Sequence, residues 1–184
     1  MRIISGEYRG RIIKMPSSKY TRPTTDKMKE SLFNYLNNII DFDEIKVCDI
    51  YAGSGSLGLE ALSRGAAFVH FVEKNFPVYK VLSENINSLK AEEFTKIFKM
   101  NAVRFSSLPE HEKYELILAD PPFFKDDIHK VVKNILENEF LTDDGLLIVE
   151  RSIQTEEKDV ENFGKKPFKK MGDSLIYQFS YETV

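Results

Sequence analysis

The chain has one cysteine, Cys48, and three histidines, and both shortages exclude chemistry. A single cysteine cannot form an intrachain disulfide or a multi-cysteine zinc site, which fits a reducing cytoplasm. Cys48 stands inside an apolar run, where a thiol fills core volume more often than it reacts. His70, His111 and His129 have neither metal-ligand spacing nor that of a nucleophilic triad, so no metal is expected. No apolar run approaches the roughly 18 residues of a membrane span, so no membrane partner is expected either. The N-terminus, Met1-Arg2-Ile3-Ile4-Ser5-Gly6, lacks the apolar stretch and cleavage site of a secretory signal, and a cytoplasmic protein is expected. Internal repeats and low-complexity tracts are also missing.

What is present is an ordinary globular composition. With 42% hydrophobic and 30% charged residues over 184 positions, the chain suffices for one domain with a full core and a small appendage. The net charge of −3 argues at first against a nucleic-acid partner. Its distribution argues back: residues 1–30 carry eight Lys/Arg against three acids, a net +5 that leaves −8 for the remainder. Such asymmetry marks a segment that meets phosphate while the body stays soluble, although a solvated pair of basic strands would carry the same charge. Lys165, Lys166, Lys169 and Lys170 form a second basic cluster, for which a solvated face is an equal reading.

Residues 2–15 alternate loosely around Gly6 and Gly10, which predicts a short hairpin or extended arm. Thr24-Thr25-Asp26 is an N-cap cluster for a helix whose apolar positions are Met28, Leu32, Phe33, Leu36, Ile39 and Ile40. From residue 45 the pattern changes to alternating strands (45–50, 68–73, 95–99, 114–120, 145–150, 168–172, 175–181) and helices (57–64, 78–89, 127–138, 155–163). This predicts an α/β fold with a mainly parallel sheet of seven strands and helices on both faces. Only Gly172-Asp173-Ser174 separates the last two strands, so they should form an antiparallel hairpin. The expected organisation is an N-terminal hairpin and helix over residues 1–40 and an α/β domain over 41–184.

Two loops carry chemistry. Asp49-Ile50-Tyr51-Ala52-Gly53-Ser54-Gly55-Ser56-Leu57-Gly58 joins the first strand to its helix, with glycines where a ligand needs close backbone approach. Asp49 is placed to accept from a ligand amine or, through water, to hold the turn. Glu73 closes the second strand about 20 residues after the glycine loop, where an acid takes ribose hydroxyls. Glycines serving chain reversal and an acid capping the loop would read the same way. Asp120-Pro121-Pro122-Phe123 follows a buried strand, at the edge where open α/β sheets bind ligands. The double proline stiffens an extended backbone, so a carboxylate, a carbonyl and a ring face one small volume. That set holds a flat aromatic amine, and a nucleobase is the evident candidate. Phe124, next along, is assigned to core packing. A hydride-transfer site needs polar groups for a carbonyl substrate and none is evident, whereas a methyl donor needs only an aligned nucleophile.

With these stretches in place, the chain resembles class I S-adenosylmethionine-dependent methyltransferases that modify exocyclic base amines. It resembles one family more closely. Arg2-Ile3-Ile4-Ser5-Gly6-Glu7-Tyr8-Arg9-Gly10-Arg11, Arg22-Pro23-Thr24-Thr25-Asp26 and Leu57-Gly58-Leu59-Glu60-Ala61-Leu62-Ser63-Arg64-Gly65-Ala66 are similar to the bacterial 16S rRNA guanine-N2 methyltransferases. The similarity spans essentially the whole chain, and the N-terminal stretches are its specific part, since the Asp-Pro-Pro-Phe motif also occurs in adenine-N6 methyltransferases.

The resemblance implies a Rossmann-like fold and methyl transfer from S-adenosylmethionine to a guanine N2 in 16S rRNA, within an assembling or assembled small subunit, by a monomer. It assigns donor binding to Asp49, Tyr51, Ala52, Gly53, Ser54, Gly55, Glu73, Lys74, Asn101 and Ala102. Catalysis falls to Asp120, Pro121, Pro122 and Phe123, and RNA binding to Arg2, Arg9, Arg11, Arg22 and Thr24. One departure stands out: members usually have Asp where this chain has Asn101. Its amide oxygen still accepts from an adenine amino group, without the charge. An adenine-N6 methyltransferase, or a non-catalytic RNA-binding assembly factor on the same fold, remains as an alternative.

Overall fold

The apolar residues of each strand alternate between two faces, and that alternation organises the molecule. In the computed structural model, which describes residues 1–17, 26–122 and 126–181, seven strands form one sheet. They are β1 (Lys46–Ile50), β2 (Phe68–Val72), β3 (Thr95–Phe98), β4 (Tyr114–Ala119), β5 (Leu141–Ser152), β6 (Lys169–Met171) and β7 (Ser174–Phe179). Their order across the sheet is β3-β2-β1-β4-β5-β7-β6. The first five pair in parallel, and β7 runs antiparallel to β5 and to β6. The helices among the described residues are α1 (Asp26–Leu36), α2 (Ser56–Ser63), α3 (Phe76–Leu89), α4 (Ala102–Phe105), α5 (Asp127–Glu137) and α6 (Glu156–Phe163). The mainly parallel sheet and its reversed terminal hairpin are as the sequence pattern predicts.

Val47, Val69, Phe71, Leu116, Leu118, Ile148 and Ile176 pack in one core with α1, α2 and α3. Cys48, Ile50, Val72, Ile117, Ala119, Val149 and Tyr177 pack in a second, with α4 and α5. Cys48 is wholly buried, and burial pushes its thiol pKa well up, as a core filler requires.

Four details depart from the periodicity. First, β5 starts at Leu141 rather than 145, with a register shift against β4 between Tyr114 and Leu116. A Cβ on Gly145 would lie 2.7 Å from the Tyr114 carbonyl oxygen, so the residue that reads as a strand boundary is instead the one that lets the irregularity close. Second, α4 is too short to show a period; Asn101 Oδ1 caps it by accepting from Arg104 N at 2.8 Å. Third, α1 ends at Leu36, so Ile39 and Ile40 lie beyond it, and Ile39 is exposed. Fourth, the N-terminal arm makes its short hairpin without a regular strand, through the Arg2–Ile12 bridge and the bonds Ile3 N to Arg11 O, Gly10 N to Ile3 O and Ile13 N to Met1 O. The Thr24-Thr25 cap lies outside the described residues.

The arm is fastened to the body. Ile3 and Ile13 are buried in the first core. Ile4 N and Ser5 N donate to the Glu60 carboxylate of α2 at 2.8 and 3.1 Å. Arg64 Nε and Lys29 Nζ reach the same group at 2.9 and 3.3 Å, and the Lys29 and Glu60 side chains are fully buried.

His70 on β2 is buried among Phe68, Phe98 and Tyr114, its Nδ1 2.6 Å from Tyr114 Oη. Burial, with Lys96 and Lys46 nearby and Glu112 opposing, pushes its pKa from 6.5 down to about 4. The folded state therefore prefers neutral imidazole, while the unfolded chain takes up a proton first as pH falls. Stability from this group is present above 6.5 and lost between 6.5 and about 4. The expected loss is about 1–2 kcal/mol after solvent screening. Urea midpoints at pH 7 and pH 4 for the parent and for His70→Gln check this, the variant showing the smaller pH dependence.

Candidate active site

The chain winds outward from β1 through β2 to β3, then returns to the other side of β1 for β4 and β5. The crevice at such a reversal, outside the carboxyl ends of the strands, is where doubly wound sheets hold ligands. Here the loops after β1 and β4 meet at that place. They are the glycine loop and the Asp120 motif.

The glycine loop is shaped from beneath. Gly55 has φ +81°, and a Cβ there would lie 2.5 Å from Leu82 Cδ1. Gly58 solves a different problem, since its Cβ would lie 2.4 Å from Phe71 Cε1 and 2.9 Å from Val69 Cγ1, both in the core. The third glycine of the fingerprint is thus a packing residue, letting α2 lie close on β2. Asp49, 2% exposed, accepts from Gly58 N through Oδ2 at 2.8 Å. It anchors the first turn of α2 directly, where the helix dipole favours negative charge. Burial raises the Asp49 pKa well above its ordinary value; the Gly58 N–H opposes this, and the charges of Asp120 and Glu73 add to it.

Strand register aligns the remaining acids. Ile50 is level with Val72 and with Ala119, and Ala119 with Val149. The residues that follow, Tyr51, Glu73, Asp120 and Glu150, therefore occupy one row along the carboxyl edge. Glu73 is buried; Oε2 accepts from Gly53 N at 3.1 Å and Oε1 from Asn75 N at 2.7 Å. Burial raises its pKa, against the amides of Asn75, Gly53 and Lys74 and the Lys74 charge. Tyr51 has φ +65°, uncommon for a residue with a side chain, and its Oη donates to Asp127 Oδ1 of α5 at 3.0 Å. Asp120 is half-buried, Pro121 buried and Pro122 exposed, so the motif leaves the core as it leaves β4.

The other predicted positions lie as follows. Ala52 and Ser54 are buried in the glycine loop, and Ala52 N donates to Val72 O at 3.1 Å. Lys74 is exposed beside Glu73. Ala102 is buried and Asn101 exposed, the latter's side-chain oxygen already serving as the α4 cap. Arg2, Arg9 and Arg11 are exposed on the arm, and Arg11 Nη2 donates to Ser88 O at 2.6 Å. Arg22, Thr24, Phe123 and Phe124 lie outside the described residues.

Sequence reading missed several participants. Glu150 completes the acid row, its Oε1 accepting from Ser174 Oγ at 2.6 Å; an acid closing a strand, as at Glu73, was the available signal. Asn85 of α3 donates to both Ser54 O and Lys14 O at 2.9 Å, tying the glycine loop to the N-terminal arm. Asp159 of α6 gathers His129 Nε2, Arg151 Nε and Thr155 Oγ1 at 2.7, 2.8 and 2.6 Å behind the carboxyl end of β5. No spacing in the sequence reveals the Asn85 and His129 contacts, because their partners come from segments 30 or more residues away.

A sheet of this order, with a reversed terminal hairpin and a glycine loop after β1, is the Rossmann-like fold of class I methyltransferases. Known proteins narrow the class. The chain belongs to the family described as Conserved hypothetical protein 95, whose model matches residues 1–180. The ribosomal RNA small subunit methyltransferase D of Escherichia coli (strain K12) is 36% identical over 154 residues, covering 84% of this chain and 76% of that protein. Its Haemophilus influenzae counterpart is 36% identical over 152 residues, covering 82% and 78%. A solved structure from Escherichia coli, assigned as the methyltransferase yhhF, superposes with a TM-score of 0.80 at 30% identity over 98% of each chain.

Proposed function

We propose that this protein transfers a methyl group from S-adenosylmethionine to the exocyclic N2 amine of a guanine in small-subunit ribosomal RNA. The observation that carries the reading is the single row at the switch point, where the glycine loop and Glu73 stand level with Asp120. The relatives named as small-subunit rRNA methyltransferases support the RNA substrate, and the resemblance of the N-terminal stretches supports guanine N2.

The residues fit the donor. Gly55, at φ +81°, lets the loop turn tightly over Leu82, Leu59 and Phe71 at the strand ends, and the Glu73 carboxylate follows β2 where ribose hydroxyls are accepted. When bound, the donor supplies an electrophilic methyl group on a sulfonium. The work of the chain is then to present the amine. The N2 lone pair of guanine is delocalised into the ring, so the amine is a weak nucleophile. Asp120 and the Pro121 carbonyl accept hydrogen bonds from its two N–H groups and fix its direction, the Asp120 carboxylate faces the proton that N2 releases on methylation, and positioning supplies most of the gain. The base must leave its stack to reach this edge, and Phe123 is the aromatic partner the motif offers to its face. Arg2, Arg9 and Arg11 on the arm contact RNA phosphates.

Two measurements test the reading. Calorimetry is expected to show S-adenosylmethionine binding to the purified protein, and no binding would leave a non-catalytic factor. Small-subunit rRNA from cells lacking the protein is expected to have lost one N2-methylguanine. Loss of an N6-methyladenine instead would transfer the proposal to the other base.

A further inference from the structure

Residues 165–170 read Lys-Lys-Pro-Phe-Lys-Lys, four positive charges in six residues of a chain whose net charge is −3. The fold separates them. Lys165 turns inward: its Nζ donates to Gln178 O at 2.7 Å and lies 4.9 Å from the Phe179 ring centroid. Lys166, Lys169 and Lys170 are exposed and make no ion pair among the described residues. Among the described residues Lys14, Lys46, Lys113, Lys133 and Lys158 each pair with an acid, while other exposed lysines such as Lys80, Lys90, Lys96 and Lys130 do not; what sets this patch apart is three unpaired lysines within five residues beside an exposed ring. Phe168 is 52% exposed, its ring 5.0 Å from that of Tyr35 on α1, and Lys169 Nζ stands 5.5 Å from the same tyrosine.

The register places this patch relative to the chemistry. Asp120 follows Ala119, which is level with Val149; Glu150, next on β5, is level with Ile176, and Ile176 with Lys169. Lys169 thus lies in line with Asp120 along the same edge, three strand spacings or roughly 14 Å away. An edge strand often carries lysines to block sheet-to-sheet association. That purpose accounts for the charge and not for a large ring left half in solvent beside it.

We propose that the β6 edge is a second RNA-docking surface, in which Lys166, Lys169 and Lys170 hold phosphates flanking the target nucleotide and Phe168, backed by Tyr35, stacks an unpaired base. The proposal rests on the RNA-methyltransferase reading above. Cations without acid partners suit a polyanion, and a ring braced by a second ring suits a nucleobase face. The surface and the N-terminal arm are separate contributions to one substrate, and the motif row runs to the β6 surface through β5 and β7.

The test compares the parent with the triple variant Lys166→Ala/Lys169→Ala/Lys170→Ala and with Phe168→Ala. Binding to protein-free small-subunit rRNA and to unmethylated small-subunit particles is measured across salt concentrations. The triple variant is expected to bind about tenfold more weakly at physiological salt, with a log–log salt slope shallower by about 2 to 3. Phe168→Ala is expected to weaken binding at an unchanged slope, because stacking releases no counterions. Melting temperature and S-adenosylmethionine affinity should stay at parental values, and the triple Lys→Arg variant should keep the parental slope. Parental RNA affinity and slope in the triple variant, with or without new self-association, overturn the proposal while leaving the methyltransferase reading intact. A parent that binds no ribosomal RNA in either form overturns both.

Discussion

Asp120→Ala is expected to lower the rate of methyl transfer by about 10²–10³-fold or more, with donor affinity within a few-fold of the parent. The reason is the division of labour along the row of strand ends. In the proposed function the donor-facing groups are the glycine loop and Glu73, and Glu73 accepts from Gly53 N and Asn75 N. Removing Asp120 therefore takes away an acceptor for the amine and leaves the donor cradle standing. The local electrostatics move in a favourable direction, because the Asp120 charge is one of the causes that raise the Asp49 pKa. Without it Asp49 holds its charge more readily, and its bond to Gly58 N is kept. Asp120→Asn is the closer probe: it keeps one oxygen but turns an N–H donor toward an amine that needs acceptors, and should also be slow. Single-turnover transfer of a labelled methyl group, alongside calorimetry of donor binding, reads both quantities. Transfer at the parental rate by Asp120→Ala would remove this mechanism.

The second large effect concerns folding. Glu60→Ala is expected to destabilise the protein by about 3–5 kcal/mol, the scale for removing one partner of a buried ion pair. Four donors converge on this carboxylate: Ile4 N, Ser5 N, Arg64 Nε and Lys29 Nζ. Lys29 is fully buried, and burial already lowers its pKa against the pull of Glu60, so losing Glu60 leaves the ammonium in the core without a carboxylate partner and with the Arg2 carbonyl as an acceptor. Two backbone amides of the N-terminal arm lose their acceptor as well. For a domain of this size the melting temperature should fall by about 10 °C or more. Replacing both partners, Glu60→Leu with Lys29→Leu, should recover part of the loss, since the buried ammonium is gone while Arg64 and the two arm amides still lack their acceptor. A double variant no better than the single one would show that the pair's charge was not the cause. The arm carrying Arg2, Arg9 and Arg11 is fastened through Glu60, so the single variant also serves to loosen the proposed RNA contacts.

Much of the candidate site is legible in the sequence because it is made of local events. A strand carrying Asp49 at its penultimate position, glycines at 53, 55 and 58, an acid at 73 and a double proline after Asp120 each express a backbone requirement within a few residues. The strand ends are predicted to within a few positions because alternation of apolar residues has only two faces to fill. Other details are not announced by local pattern. Gly145 reads as a boundary but lies inside β5, since the approach of the Tyr114 carbonyl is a tertiary matter. Asp49 reads as a ligand acceptor, or a turn anchor acting through water, and in the fold it binds Gly58 N directly. Asn101 reads as an adenine contact and also caps α4, a helix of four residues that no period could announce.

By itself the sequence determined the elements, their alternation, the glycine loop and the motif, because helix and strand periodicity and turn chemistry act over short separations. Only the tertiary structure decided that Glu73, Tyr51, Asp120 and Glu150 stand in one row, since that depends on parallel register between strands far apart in the chain. It also decided that Glu60 is an anchor for the arm rather than a surface acid, and that Lys169 lies on the line of Asp120 while Lys165 turns inward. In each case the partner comes from a remote segment, and burial then sets whether a charge is a solvated face or a structural bond.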